Sequence, residues 1–172
     1  MIRRGKASTW AEYGEDIGVL AGDALMMYAF ETASKAFDAA EDADALLRAG
    51  KAMGILAAKT GVYGMIGGQT VDVELAGGPV PKDKLDFIYR LKTGALLQAA
   101  MLIGAVLGGA ADEDCKIVED LAGKVGLAFQ IQDDILDVTG DASVTGKAAG
   151  SDEKNQKTTY VTLEGFQRPG KR

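Results

Sequence analysis

The chain has 172 residues, is 47% hydrophobic and only 6% aromatic, and carries three prolines, so one domain built from helices is expected, Ala and Leu being strong helix formers. A net charge of −6, from 19 Lys and Arg against 25 Asp and Glu, argues against a nucleic-acid partner held by bulk electrostatics, while leaving room for a small basic cluster that binds phosphate. Histidine is absent and Cys115 is the single cysteine, which excludes a histidine base or ligand, a disulfide framework and a cysteine-based zinc site.

Met1 to Lys6 has no apolar core of a signal peptide, and with the lone cysteine it fits a cytoplasmic protein. Thr9-Trp10-Ala11-Glu12 matches a capping box, and a helix follows to about Phe37 with Tyr13, Ile17, Leu20, Ala24, Met27 and Phe30 at helical intervals. Asp42 to about Leu75 reads as a second long helix, with Leu46, Met53, Leu56, Val62 and Met65 inward. Its glycines at 50, 54, 61, 64, 67 and 68 predict kinks and close approach of neighbouring helices.

Gly77-Gly78-Pro79-Val80-Pro81 is the strongest break in the chain. A third helix is expected over Lys82 to Leu107, ended by Gly108-Gly109. The stretch from Gly94 to Ala111 has Gln98 as its one strongly polar side chain and reaches the lower edge of membrane-spanning length. Its glycines and alanines make it weakly lipophilic, so a central helix buried on all sides is expected rather than a membrane span. Asp112 to about Val138 forms a fourth helix, opened by three acids that suit its dipole. Gly140 to Gln156 reads as a loop, and Lys157 to Phe166 begins a further helix that Pro169-Gly170 stops. The domain is placed at 1–166, with 167–172 as a tail.

The fourth helix carries Gln130-Ile131-Gln132-Asp133-Asp134-Ile135-Leu136-Asp137. Residues three and four apart share a helical face, so the three aspartates repel one another on a largely apolar helix. Divalent metal would relieve that repulsion, and hard oxygen ligands suit Mg²⁺. On spacing alone, a solvated acidic helix end remains an equal reading. Gln130 lies one turn before the aspartates, and Lys147 and Lys157 in the following glycine-bearing loop could fold onto a phosphate held there. No P-loop pattern is present.

These features come together in a resemblance. Gly126 to Asp141 (GLAFQIQDDILDVTGD) and Thr145 to Gly165 (TGKAAGSDEKNQKTTYVTLEG) are similar to the second aspartate-rich region and lysine loop of the trans-isoprenyl diphosphate synthases. That family includes the farnesyl, geranyl and geranylgeranyl diphosphate synthases. Four further stretches agree in order: Arg3-Arg4-Gly5-Lys6 leading to Tyr13-Gly14-Glu15, Leu20 to Leu25, Gly67-Gly68-Gln69-Thr70-Val71-Asp72, and Lys92-Thr93-Gly94-Ala95-Leu96.

The resemblance implies an all-α fold, a partial isoprenoid synthase helical bundle, and transfer of an allylic diphosphate's prenyl group onto isopentenyl diphosphate. It implies that Asp133, Asp134 and Asp137 hold Mg²⁺ on the allylic diphosphate. Lys92, Lys147 and Lys157 would neutralise that diphosphate, and Arg3 and Arg4 would clamp substrate diphosphates. Thr93 and Gln130 would face the carbocation, Phe129 would neighbour the isopentenyl site, and Gln69 and Asp72 would line the cavity. For Gln69 and Asp72 a hydrogen bond between helices is the competing reading. The reaction is electrostatic in its demands and needs no histidine.

Family members are much longer, and their first aspartate-rich motif, expected just ahead of the arginine pair, is not among these residues. Truncation at both ends is therefore the expectation, with little or no synthase activity from this chain alone. The implied partners are a second copy, as a homodimer, or a longer synthase for which this chain is a non-catalytic subunit or remnant. A class I terpene cyclase also uses DDxxD, but the lysine loop and Lys92-Thr93 argue against it.

Overall fold

The structure is a computed structural model that describes residues 2–3, 6–140, 158–163 and 165. The chain divides into two compact units, Met1–Met53 and Gly54–Arg172, with the division falling inside one helix.

In the first unit, β1 (Ile2–Arg3) and β2 (Lys6–Ala7) form an antiparallel hairpin in which Ile2 faces Ala7 and Arg3 faces Lys6. The helix expected from Thr9 is two helices, α1 (Thr9–Tyr13) and α2 (Glu15–Asp38). Gly14 separates them at φ 92°, a conformation that costs a side-chain-bearing residue about 1–2 kcal/mol. The expected capping box is replaced by Ser8, whose hydroxyl accepts from the Ala11 amide at 3.3 Å. α2 buries none of its residues, and Tyr13, Ile17, Leu20 and Met27 are exposed rather than inward. α1 meets it at Gly18, where a Cβ would stand 3.2 Å from that of Trp10.

α3 (Ala43–Thr60) begins where Asp42 accepts from the Ala45 amide at 2.6 Å and crosses the division between units. The expected run to Leu75 is interrupted after Thr60, and α4 (Met65–Glu74) follows a turn. That turn folds so tightly that a Cβ on Gly64 would collide with the Lys59 carbonyl oxygen. Leu46 and Val62, expected inward, are exposed, while Met53, Leu56 and Met65 are half-buried.

The third predicted helix spans Lys82 to Leu107 as expected, but in three parts: α5 (Lys82–Ile88), a π-helical segment (Tyr89–Gly94) and α6 (Ala95–Leu107). Gly109, at φ 80°, turns the chain into α7 (Asp112–Thr139). The last described helix is α8 (Tyr160–Leu163).

Two apolar clusters organise the second unit. Leu85, Ile88 and Tyr89 gather Val71, Val80 and Tyr160, while Leu102, Val106 and Cys115 gather Ile55, Ala105 and Ala110. Between them α6 buries only the stripe Ala95, Ala99, Leu102 and Val106. The expectation of burial on all sides is thus corrected: α7 covers one face, and Leu96 and Leu107 on the other are exposed. Among the described residues one helix, Lys82–Leu107, is long and apolar enough to cross a membrane. In the structure it packs along α4 and α7.

A polar node fixes the register of this packing. Lys59 on α3 donates to Gln98 Oε1 at 2.9 Å and to Glu119 Oε1 at 2.6 Å, and the Gln98 amide donates to the Glu119 carbonyl at 3.2 Å. α3, α6 and α7 are tied at one point. The architecture is all-α apart from the short hairpin.

Candidate functional site

The π segment lies between α4 and α7, and two glycines let both come to its backbone. A Cβ on Gly68 of α4 would stand 2.8 Å from Leu91 Cβ, and one on Gly126 of α7 would stand 2.9 Å from Gly94 Cα. Neither approach survives a side chain, because contacts this short force atoms inside van der Waals range. The i→i+5 winding of the segment also redistributes its side chains around the axis. Tyr89 and Thr93 reach α7, while Lys92 reaches α4.

Each of these three residues has a polar partner. Lys92 Nζ forms an ion pair with Asp72 Oδ2, four residues beyond Gly68. Thr93 donates its hydroxyl to Gln130 Oε1 at 2.8 Å. Tyr89 donates its hydroxyl to Asp134 Oδ2 at 2.6 Å, with the two residues 3% and 2% exposed. The last two bonds are spaced four residues apart on each helix, 89 to 93 against 134 to 130, as antiparallel packing requires.

The cluster has a clear chemical character. By donating its proton to Gln130, Thr93 keeps its oxygen lone pairs as acceptors. Lys92 brings a cation whose charge is offset by Asp72 and which can be shared with an incoming anion. On α7, Asp133 and Asp137 are half-buried and one turn apart, whereas Asp134 is buried. The three aspartates therefore occupy unlike surroundings despite their common spacing. Hard carboxylate oxygens at Asp133 and Asp137 suit a divalent cation whose other ligands are water and phosphate. Among the described residues no group of three or more acidic or thiol side chains is gathered at metal-ligating spacing.

Of the remaining expected site residues, Gln69 and Lys92 line an open cavity of about 490 Å³ with Met65, Ile66, Thr70 and Val73. Asp72 makes the interhelical contact weighed for it, to Lys92. Phe129 is 56% exposed on α7. Arg3 sits in the hairpin of the first unit. Arg4, Lys147 and Lys157 lie outside the described residues.

Sequence reasoning missed Tyr89, and with it a small aromatic and polar group beneath the acidic turn. The Tyr160 ring meets that of Tyr89 edge-on at 5.3 Å and 62°, and the Tyr160 hydroxyl donates to Asp86. Lys82 Nζ lies 5.5 Å from the Tyr160 ring centroid. The available signal was the placing of Tyr89 one helical turn before Lys92 and Thr93.

A sequence model of the polyprenyl synthetase family matches residues 1–172. The chain belongs to the polyprenyl synthetase family. Its curated relatives include the farnesyl diphosphate synthase of Escherichia coli (strain K12), 39% identical over 173 residues that are 99% of this chain and 56% of that protein. The large subunit 1 of a chloroplastic heterodimeric geranylgeranyl pyrophosphate synthase from Arabidopsis thaliana is 39% identical over 170 residues, 97% of this chain and 45% of that protein. A crystal structure of geranyltransferase from Helicobacter pylori, complexed with magnesium and isoprenyl diphosphate, superposes with a TM-score of 0.79 at 35% identity. That match covers 93% of this chain and 50% of the other. The chain thus spans about half the length of the curated relatives it matches.

Proposed function

We propose that this chain carries one wall of a Mg²⁺-dependent prenyl-transfer site, joining isopentenyl diphosphate to an allylic diphosphate. The observation that carries this reading is the convergence, on one π-helical segment, of Lys92 with Asp72 and Thr93 with Gln130, beside the acidic turn of α7. The membership of the polyprenyl synthetase family and the magnesium and isoprenyl diphosphate in the Helicobacter pylori geranyltransferase support it.

In the reaction the allylic C–O bond breaks and diphosphate leaves with its electron pair. The alkene of isopentenyl diphosphate then attacks the allylic carbon, and a proton is lost to the released diphosphate. Mg²⁺, held at the turn of Asp133, Asp134 and Asp137, would supply charge to stabilise that leaving group. Lys92 adds a cationic donor to the diphosphate, with Lys147 and Lys157 assigned the same task and Arg3 and Arg4 the substrate diphosphates. The hydroxyl oxygen of Thr93 and the amide oxygen of Gln130 present partial negative charge to the cationic carbon. Preorganised dipoles of this kind are the main source of rate where charge develops in a water-poor site.

A second reading is a subunit that pairs with a longer synthase. It is favoured by the relative that is itself the large subunit of a heterodimeric synthase, and by the apolar face of α2 left exposed within its unit. The test is a condensation assay with labelled isopentenyl diphosphate and geranyl diphosphate in Mg²⁺, on the 172-residue chain alone and mixed with a full-length relative. Little or no product alone, with Mg²⁺-dependent retention of the allylic diphosphate, is expected. Failure to bind either diphosphate would overturn the reading.

A further inference from the structure

Tyr160 on α8 meets three side chains that share one face of α5 and its π continuation. Its hydroxyl donates to Asp86, its ring meets the Tyr89 ring edge-on with centroids 5.3 Å apart, and Lys82 Nζ lies 5.5 Å from its centroid. Residues 82, 86 and 89 are spaced by four and three, so they fall on one helical stripe. α8 is itself held in place. The Val80 amide donates to Thr158 Oγ1 at 3.0 Å, and Thr159 is 2% exposed. Across the first turn of α8, the Thr159 amide donates to Thr162 Oγ1 at 2.9 Å and the Thr162 amide donates to Thr159 Oγ1 at 3.2 Å. This reciprocal arrangement fixes where the helix starts.

We propose that Tyr160 is a positioning residue for the diphosphate site: its ring, tethered to α5 by Asp86 and Lys82, backs the Tyr89 ring and so fixes the π segment against the acidic turn of α7. The inference rests on the functional reading above. Tyr89 opens the π segment that presents Lys92 and Thr93, and its hydroxyl donates to Asp134 Oδ2 within the acidic turn. A tilt of the Tyr89 ring therefore moves the turn of Asp133, Asp134 and Asp137 relative to Lys92. An edge-to-face contact resists that tilt because attraction between two aromatic rings depends on their orientation, whereas an aliphatic side chain packs with no such preference. Tyr160 acts through Tyr89 and not on the ligand.

Two measurements on the 172-residue chain test this. In calorimetric titration with Mg²⁺ and inorganic diphosphate, Tyr160→Leu is expected to bind about three- to tenfold more weakly, less than the loss of a direct partner of a metal ligand. Tyr160→Phe, which keeps the ring and loses only the tether to Asp86, is expected to restore affinity to within about twofold of the parent. Tyr160 is half-buried, so both variants are expected to fold, and urea unfolding verifies it. Lys59→Met, which destabilises the same unit away from the site, is expected to bind diphosphate as the parent does. In NMR with ring-labelled tyrosine, the Tyr89 signals, identified by their loss in Tyr89→Phe, are expected to shift in Tyr160→Leu and to stay in place in Tyr160→Phe. Unmoved Tyr89 signals or parental affinity in Tyr160→Leu would overturn this inference alone. So would a loss in Tyr160→Phe or in Lys59→Met as deep as that in Tyr160→Leu. No binding by the parent chain would overturn the functional reading and this inference with it.

Discussion

Gly126 on α7 meets Gly94 of the π segment backbone to backbone, with room for no side chain: a Cβ on the first would stand 2.9 Å from the Cα of the second. That contact sets the distance at which Thr93 reaches Gln130 and Tyr89 reaches Asp134. The polar chemistry of the wall is therefore controlled by two residues that carry none.

Gly126→Ala tests this control. Alanine gains about 1 kcal/mol of helix propensity over glycine, whereas overpacking against backbone costs about 1–3 kcal/mol. Backbone cannot swing aside, so overpacking wins, and urea unfolding should show a net loss. Gly104→Ala on α6, where a Cβ meets nothing within 4 Å, should instead gain about 0.5–1 kcal/mol.

Thr93 and Gln130 should be energetically coupled. In a double-mutant cycle of Thr93→Val and Gln130→Leu, unfolding free energies should be non-additive by about 0.5–1.5 kcal/mol, the net worth of one hydrogen bond. Additive losses would mean that the bond does not form in solution.

Lys92 is held by Asp72, whose carboxylate competes with any anion for the same ammonium group. Asp72→Asn should tighten inorganic diphosphate binding by about two- to fivefold at low ionic strength, and the gain should shrink as salt screens the site. Equilibrium dialysis at two salt concentrations reads both effects.

Ion pairs elsewhere in the chain should differ according to their partners. Lys59 bridges Gln98 and Glu119 in partly buried surroundings, so Lys59→Met should cost about 1–2 kcal/mol in thermal unfolding. Lys124 pairs with Asp120 at the surface, with both side chains about two-thirds exposed or more, and Lys124→Met should stay within about 0.5 kcal/mol of the parent.

Much of the second unit was legible because its punctuation is strong. Pro81 and Gly108-Gly109 bound the long helix, and three acids open α7, so those ends needed no tertiary information. The split of the second predicted helix at residues 61–64 was harder to read. Apolar spacing continues across the turn, and only the fold reveals that the glycines there close it. The π segment was invisible for a related reason: an inserted residue leaves the run of helix-forming side chains unchanged. Lys92, Thr93 and Asp72 were found through the resemblance, and Gln130 first through its place one turn before the aspartates. Tyr89 was missed because an aromatic at helical spacing reads as ordinary core, and its hydroxyl acquires meaning only when Asp134 arrives from 45 residues away. The aspartate spacing likewise could not distinguish the buried Asp134 from its half-buried neighbours.

The most direct test of the proposed site is calorimetric binding of inorganic diphosphate to the 172-residue chain with and without Mg²⁺, repeated on Lys92→Ala and on the Asp133→Asn, Asp137→Asn double variant. Binding that requires Mg²⁺, is weakened by Lys92→Ala and is lost in the double variant is the predicted result. Diphosphate binding that is indifferent to Mg²⁺, or that survives the loss of both carboxylates, would contradict it.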